Sequence, residues 1–371
     1  MHTRLIHPGE SSWGDCLADL PHDVYHVPEY VQLCADQAQA EPLAFVAEEG
    51  HSRVFVPLII RPVNDATATA GGLYDASSPY GYPSPLVGGD DTGKQCADFF
   101  GRAIRMLVSR LRERGVVSVF LRLHPLLPIP LEALRRCGAL VDHGQTVYVD
   151  LTQSTDEIWS QTRRSHRKCI RRAERNGYVA EIDHAWHHFE DFFSIYGETM
   201  ERVSATDSYF FPREYFLELR EALQDALHLC IVRREDTVAA ASLYTEVRGF
   251  VQAHLGGART AHGKHAPTIL SEHFMRGWAK DRGNHTFHLG GGKGASNDSL
   301  FQFKAGFSKL RADYFTFRAV ADADAYRRLV SRWEQEAGTS ADCLEGFFPA
   351  FRRPLDVPGR VSQHANARGV V

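Results

Sequence analysis

Lys304 lies among Phe301, Phe303 and Phe307 in the stretch LGGGKGASNDSLFQFKAGFS, residues 289–308. A lone cation flanked by aromatic rings sits in a half-apolar setting, where its charge acts more strongly than in water. Gly290, Gly291 and Gly292 come before it, and Gly306 lies beside it. Glycines after a strand let backbone N–H groups face a ligand with no Cβ in the way. A cation and turned amides together suit a reaction in which negative charge develops on an oxygen. The same residues also fit a plain glycine loop with a solvated lysine, because an isolated motif is weak. Asp298 has two readings as well: a carboxylate for an incoming amine, or the cap of the turn into SLF.

The most basic stretch is RRSHRKCIRRAER at 163–175, with six arginines and one lysine against one glutamate, a net +6 with His166 neutral. Ile170 and Ala173 give it a thin apolar side, and Asn176-Gly177 stops the helix. Charge of one sign at this density repels itself. An anionic partner relieves the repulsion, phosphate being the obvious one; a solvated surface face is the plainer reading. Arg163, Arg164, Arg167, Lys168 and Arg171 are the phosphate-binding candidates here, with Arg259 and Lys264 from a second basic loop. Upstream, YDASSPYGYPSPLVG at 74–88 gathers Tyr74, Tyr80 and Tyr82 around Asp75. That segment is too rich in proline and glycine to expect regular structure. Rigid aromatics with polar tips suit a binding wall, or simply a packed surface excursion. No Ser–His–Asp set, Walker loop or metal-spaced His/Cys cluster is evident, so no metal is expected.

These residues need elements to hold them. Runs at 43–47 and 54–60 make a hairpin around Gly50, and Phe100, Ala103, Ile104, Leu107 and Leu111 mark the buried stripe of a helix over 97–114. Gly115 closes that helix, and a strand follows at 116–123. The same order returns downstream: a hairpin at 227–232 and 238–244, a strand at 249–255, a helix at 267–282 opened by Pro267 and closed by Gly283, and a strand at 286–289. The spacing between copies varies, so this is one α/β unit used twice, not a short-period repeat. The net charge of −4 shows no global sign of nucleic-acid binding; any such site must be a local patch. Seven scattered cysteines without a CxxC pair read as the reduced thiols of a cytoplasmic protein. No run of about 18 apolar residues offers a membrane span, and the first residues lack the apolar core of a signal peptide.

With those pieces in place, the chain resembles the Fem-type aminoacyl-tRNA-dependent peptidyltransferases, within the wider GNAT-like acyltransferases. The matching pieces run in family order: SPYGYPSPL at 78–86, RRSHRKCIRRAERNGY at 163–178, YGETMERVSA at 196–205, YFFPREYF at 209–216, LGGARTAHGKHAP at 255–267, and the stretch at 289–308. The resemblance implies an α/β (α+β) chain of two tandem GNAT-like domains, each a mixed sheet flanked by helices, with no long coiled-coil insertion. The first domain is expected at 1–150, the second with its basic joining helix at 151–335, and a C-terminal segment at 336–371, polar and glycine-bearing from Leu355 on, whose tail frays.

The implied reaction moves an aminoacyl group from charged tRNA to a primary amine, on a peptidoglycan precursor or on a small natural product such as an antibiotic. No cofactor is needed, because the aminoacyl ester is already activated. Lys304 would stabilise the oxyanion, with Phe303 as its apolar wall and Asp298 binding the ammonium or taking its proton. Arg202 looks like an anchor for the acceptor, or a partner of Glu198 on its own helix. Tyr74, Asp75, Tyr80, Tyr82, Tyr209, Tyr215 and Tyr244 complete the substrate-binding set with the three glycines. An acyl-CoA-dependent N-acyltransferase on the same fold is the alternative. CoA-using relatives hold pyrophosphate on Q/R-x-x-G-x-G/A at a helix start. Here the corresponding RTAHGKHA is off by a residue and carries Lys264 and His265, which speaks against CoA.

Overall fold

The computed structural model describes residues 1–63, 72–89, 93–341 and 346–355. The tail expected to fray lies outside them, apart from its first residue. The chain divides into two compact units, residues 1–143 with 313–371, and residues 144–312.

The first stretch of chain forms β1 (His2–Ile6), α1 (Ser11–Ala18), α2 (Pro28–Gln37), β2 (Glu41–Glu49), β3 (Ser52–Val63), β4 (Leu73–Ser77), β5 (Leu86–Gly88), α3 (Gly93–Glu113), β6 (Val116–Arg122) and α4 (Leu131–Arg135). The middle stretch forms β7 (Ala139–Asp150), α5 (Thr155–Gln161), α6 (Arg164–Arg175), β8 (Tyr178–Ile182), α7 (Phe189–Arg202), α8 (Arg213–Leu223), β9 (Leu227–Arg234), β10 (Thr237–Val247) and β11 (Phe250–Ala258). Then come α9 (Pro267–Asp281), β12 (Thr286–Gly290), α10 (Ser299–Lys304), β13 (Arg311–Val320) and α11 (Ala323–Ala337).

Both units are built on one plan. In the first, β2 and β3 form an antiparallel hairpin, β4 lies antiparallel to β3, and α3 crosses over to place β6 parallel to β4. In the second, β9 and β10 form the hairpin, β11 lies antiparallel to β10, and α9 crosses over to place β12 parallel to β11. The closing strands break the linear plan. β13 pairs antiparallel with β6 in the first unit, and β7 pairs antiparallel with β12 in the second. Each unit therefore ends on a strand drawn from the other copy's stretch of chain. Cuts at 150 and 335 do not coincide with the contact-defined units for that reason: a linear reading of the sequence assigns each strand to the copy it follows.

Local chemistry explains most elements. The α3 stripe expected from sequence is buried, with Phe100, Ala103, Ile104, Leu107 and Leu111 inaccessible against β2, β3 and β6. Gly115 takes φ +80°, a left-handed value that favours glycine, and ends α3. Pro267 sits in the first turn of α9, and Gly283 closes that helix at φ +83°. The segment expected to lack regular structure departs from that expectation: β4 opens it and β5 closes it. Leu73–Ser77 has no alternating pattern because β6 pairs on one side of it and β3 on the other, so tertiary pairing overrides a weak local signal. No helix among the described residues is long and apolar enough to cross a membrane.

Candidate active site

In the second unit β11 and β12 run parallel only from Phe250↔Thr286 to Gln252↔His288. Beyond that register β11 continues along β10 and β12 along β7, so the carboxyl ends of two neighbouring parallel strands part. Open α/β sheets bind ligands at such a place. The glycines of 290–292 lie at this end of β12. Gly290 has φ +77°, and a Cβ on Gly292 would run into the Ser296 carbonyl and the Asp298 carboxylate. The tight turn thus requires glycine at both positions.

Asp298 builds that turn. Its Oδ1 accepts from Phe301 N at 2.8 Å as the N-cap of α10, and its Oδ2 accepts from Lys293 N at 2.9 Å. Both oxygens serve backbone donors, which favours the capping reading over proton transfer. α10 then delivers Phe303 and Lys304. The Lys304 Nζ donates to the Gly291 carbonyl at 2.8 Å, which fixes the ammonium against the glycine turn and leaves two of its three donors for a ligand. Burial pushes its pKa down to about 8, against the pull of Glu272 and Asp298. The half-apolar setting expected for Lys304 is therefore present, with Phe301 and Phe307 buried close by in sequence.

Glu272 is the residue that motif reading did not pick out. It lies on α9, and burial raises its carboxyl to about 7, moderated by the Lys304 charge and the nearby Tyr244 hydroxyl. The Tyr244 hydroxyl is also 3.0 Å from Ser271 Oγ. Tyr244 is fully buried, so its part in any site is played inside, through its hydroxyl. A glutamate in SEHF carries no sequence signal of its own; only the packing of α9 on the sheet makes it unusual.

The basic helix α6 is fastened to the same loop. Arg163 N donates to the Gly306 carbonyl at 2.8 Å, and the His166 imidazole is 2.9 Å from the Phe303 carbonyl. A Cβ on Gly306 would run into that imidazole, so glycine is what allows α6 to sit there. Burial lowers the His166 pKa, which favours the neutral ring that donates to the carbonyl. Arg163, Arg164, Lys168 and Arg171 are exposed, and Arg167 is half-buried. Their bonds run to neutral groups: Arg167 to the Trp159 and Ser160 carbonyls, Arg163 to Gln302, while Arg171 lies 5.5 Å over the Trp159 ring. None of these contacts neutralises the helix.

Other candidates have internal duties. Arg202 donates to the Ala258 carbonyl at 2.9 Å and to Thr260 Oγ1 at 3.1 Å, while Glu198 accepts from Thr260 N. The expected Arg202–Glu198 pair is replaced by two separate anchors on the loop after β11. Arg259 is bridged to Asp191 at 2.9 Å, whereas Lys264 is exposed. Tyr215 is buried and stacks on Phe211 at 4.4 Å. Tyr209 receives the Tyr196 hydroxyl on its carbonyl.

The first unit holds Tyr74, Asp75, Tyr80 and Tyr82. Asp75 is 1% exposed, and both its oxygens are bound, by Arg61 at 2.5 and 3.2 Å and by Arg352 at 2.8 and 2.9 Å. The structure turns it from a candidate ligand into the anchor of two arginines. Tyr74 is half-buried in β4, beside Gly115. Tyr82 packs edge-on against Tyr25 and Tyr314, and the Tyr80 carbonyl accepts from Tyr30. An aromatic wall exists, but its rings largely face one another.

Comparison with known proteins agrees with this architecture. Residues 160–305 match the family model of the acetyltransferase (GNAT) domain. The solved structure of FemX superposes with a TM-score of 0.66 at 13% identity, covering 88% of this chain and 99% of that one. The C-terminal domain of a candidate lysylphosphatidylglycerol synthetase from Agrobacterium fabrum gives 0.51 at 12% identity, covering 85% and 93%. A conserved protein of unknown function from Bacteroides thetaiotaomicron gives 0.52 at 10% identity, covering 79% and 89%. A search of curated proteins by sequence finds no match. Part of the second unit thus matches the GNAT model, and the chain is similar in fold to FemX.

Proposed function

We propose that this chain transfers an aminoacyl group from charged tRNA to a primary amine. One observation carries the reading: the basic helix α6, which has no acidic partner among the described residues, and the half-buried Lys304 are parts of one clamp, joined through Arg163 to Gly306 and His166 to Phe303. A surface that attracts phosphate is thereby held in fixed register with a cation placed for an oxyanion. The donor ester needs no further activation. Lys304 stabilises the tetrahedral oxygen beside the glycine turn. The acceptor amine belongs to a peptidoglycan precursor or to a small natural product, and the reaction needs no cofactor.

The match of residues 160–305 to an acetyltransferase domain, together with an α9 N-terminus that no side chain caps, favours a second reading, N-acyl transfer from acyl-CoA. The decisive experiment incubates the protein with charged tRNA or acyl-CoA and a panel of primary amines. Product that depends on charged tRNA and vanishes after ribonuclease treatment supports the first reading. Product formed from acyl-CoA and indifferent to ribonuclease replaces it with the second.

A further inference from the structure

Two ionisable side chains of α9, Arg276 and Glu272, are held in very different ways. Arg276 is satisfied: it donates to Thr162 Oγ1 at 2.7 Å and to His273 Nδ1 at 3.0 and 3.2 Å. Glu272 is not: its Oε2 is shielded from solvent and has no hydrogen-bond partner among the described residues. A buried acceptor left unmatched costs about 1–3 kcal/mol, more when charged, and each such exception calls for a reason.

The groups around this carboxyl come from four elements and the turn. β10 supplies Tyr244, whose hydroxyl acts on the carboxyl and is 3.0 Å from Ser271 Oγ, and Ser242 near that hydroxyl. β9 supplies Cys230, a thiol that burial pushes up to about 12 and thus keeps neutral. α9 itself supplies Ser271, which donates to Cys230 Sγ at 3.4 Å. α10 supplies Lys304, and Asp298 adds its field at the same ammonium. Tyr244 places a hydroxyl dipole near the carboxyl, Lys304 provides the nearby positive charge, and Oε2 is uncommitted.

We propose that Glu272 is the proton acceptor for the attacking amine, its unpartnered Oε2 receiving the proton. This rests on the transferase reading above. An alkyl amine reaches the site as ammonium and must lose a proton before it can attack. Oε2 takes that proton. The nitrogen lone pair then forms the C–N bond as the carbonyl π pair moves onto the oxygen facing Lys304. On collapse the C–O bond to the ribose breaks, and the second ammonium proton goes to the ribose oxygen. The products are the amide, tRNA with a free hydroxyl, and protonated Glu272, which returns its proton to water. A carboxyl near 7 is matched to this work at neutral pH, whereas Lys304, near 8, keeps its charge for the oxyanion.

The test compares wild type with Glu272→Gln and Glu272→Asp, using charged tRNA and two probes: an alkyl amine that is protonated at pH 7, and hydroxylamine, which is not. Glutamine copies the shape of the protonated acid, so the fold should persist, with circular dichroism and melting temperature as controls. Aspartate keeps a titrating group if glutamine proves unstable. With the alkyl amine, kcat/KM should fall about 10²–10⁴-fold in Glu272→Gln, the range for a lost general base. The rise of the wild-type rate through about pH 7 should vanish with it, and hydroxylamine should react at near wild-type rate. Equal losses with both amines, or an unchanged pH profile, would overturn the role of Glu272 and leave the transferase reading intact. Transfer from acyl-CoA alone would overturn the tRNA reading, and the same two-amine comparison on that donor would then decide Glu272. A wild-type protein inactive with both donors would overturn both.

Discussion

Replacing Lys304 by methionine should make the protein more stable and nearly inactive. The ammonium ordinarily titrates at 10.5, and burial lowers it to about 8. At about 1.4 kcal/mol per pH unit, the fold disfavours the charged form by about 3 kcal/mol. Methionine fills a similar space with an unbranched apolar chain. It also leaves the Gly291 carbonyl without its 2.8 Å donor, which offsets about 1 kcal/mol of the gain. Glu272 loses the positive charge that restrains its pKa, so it stays protonated to higher pH and adds no new buried charge. The expected net change at pH 7 is a gain of about 1–2 kcal/mol, read by urea unfolding, or about 2–4 °C in Tm per kcal/mol for a unit of this size. Turnover should fall about 10²–10³-fold, as for loss of an oxyanion donor. The Michaelis constant for the acceptor should move little, because the interaction forms in the transition state. Lys304→Arg should restore only part of the rate, since the guanidinium has a different shape and reach. A folded Lys304→Met with near-native turnover would remove the lysine from the chemistry. A loss of several kcal/mol would show that the lysine is a structural anchor and that the argument from burial is wrong.

Other outcomes follow from the same geometry. Arg164→Glu with Lys168→Glu changes two exposed cations of α6, so tRNA affinity should fall and the log–log salt slope should flatten by about 0.7–0.9 per lost phosphate contact; an unchanged slope in a binding titration makes α6 a plain surface helix. Gly306→Ala drives a methyl into the His166 ring and should cost about 1–3 kcal/mol of stability and loosen the clamp, so a variant with native melting and native turnover would refute the coupling. Asp75→Ala leaves Arg61 and Arg352 facing a void and should destabilise by about 3–5 kcal/mol, without a selective rise in the acceptor's Michaelis constant in the fraction that folds. Burial lowers His26 to about 3 and His254 and His273 to about 4. The unfolded chain takes up those protons below about 6.5 and the fold does not, so stability is full above 6.5 and lost as pH falls. Glu272, raised to about 7, acts oppositely and cancels one proton. Near pH 5 these four groups give a slope of about 3 kcal/mol per pH unit, and His26→Gln should reduce it by about one proton's worth, measured by urea midpoints at pH 7 and pH 5.

The sequence by itself determined what depends on neighbours along the chain. The apolar stripe of α3, the hairpin around Gly50, Pro267 at the start of α9 and the glycines that end α3 and α9 are local signals. They act through periodicity, fixed φ or left-handed φ, and each is legible in a window of a few residues. The order of those elements was enough to show one unit used twice. The +6 charge of 163–175 and the cation among phenylalanines were legible for the same reason. Only the tertiary structure decided the rest. The exchange of β7 and β13 depends on which edges the strands find, and no local pattern records it. Asp75 looked like a ligand because its loop is polar and aromatic; Arg352, 277 residues away in sequence, makes it an anchor. Asp298 kept two readings until both its oxygens were seen on backbone donors. Glu272 was silent because a carboxylate becomes unusual only when burial withdraws water from it and supplies no partner for one oxygen. Desolvation is a property of the packed fold, and it is what separates a reactive side chain from an identical one on the surface.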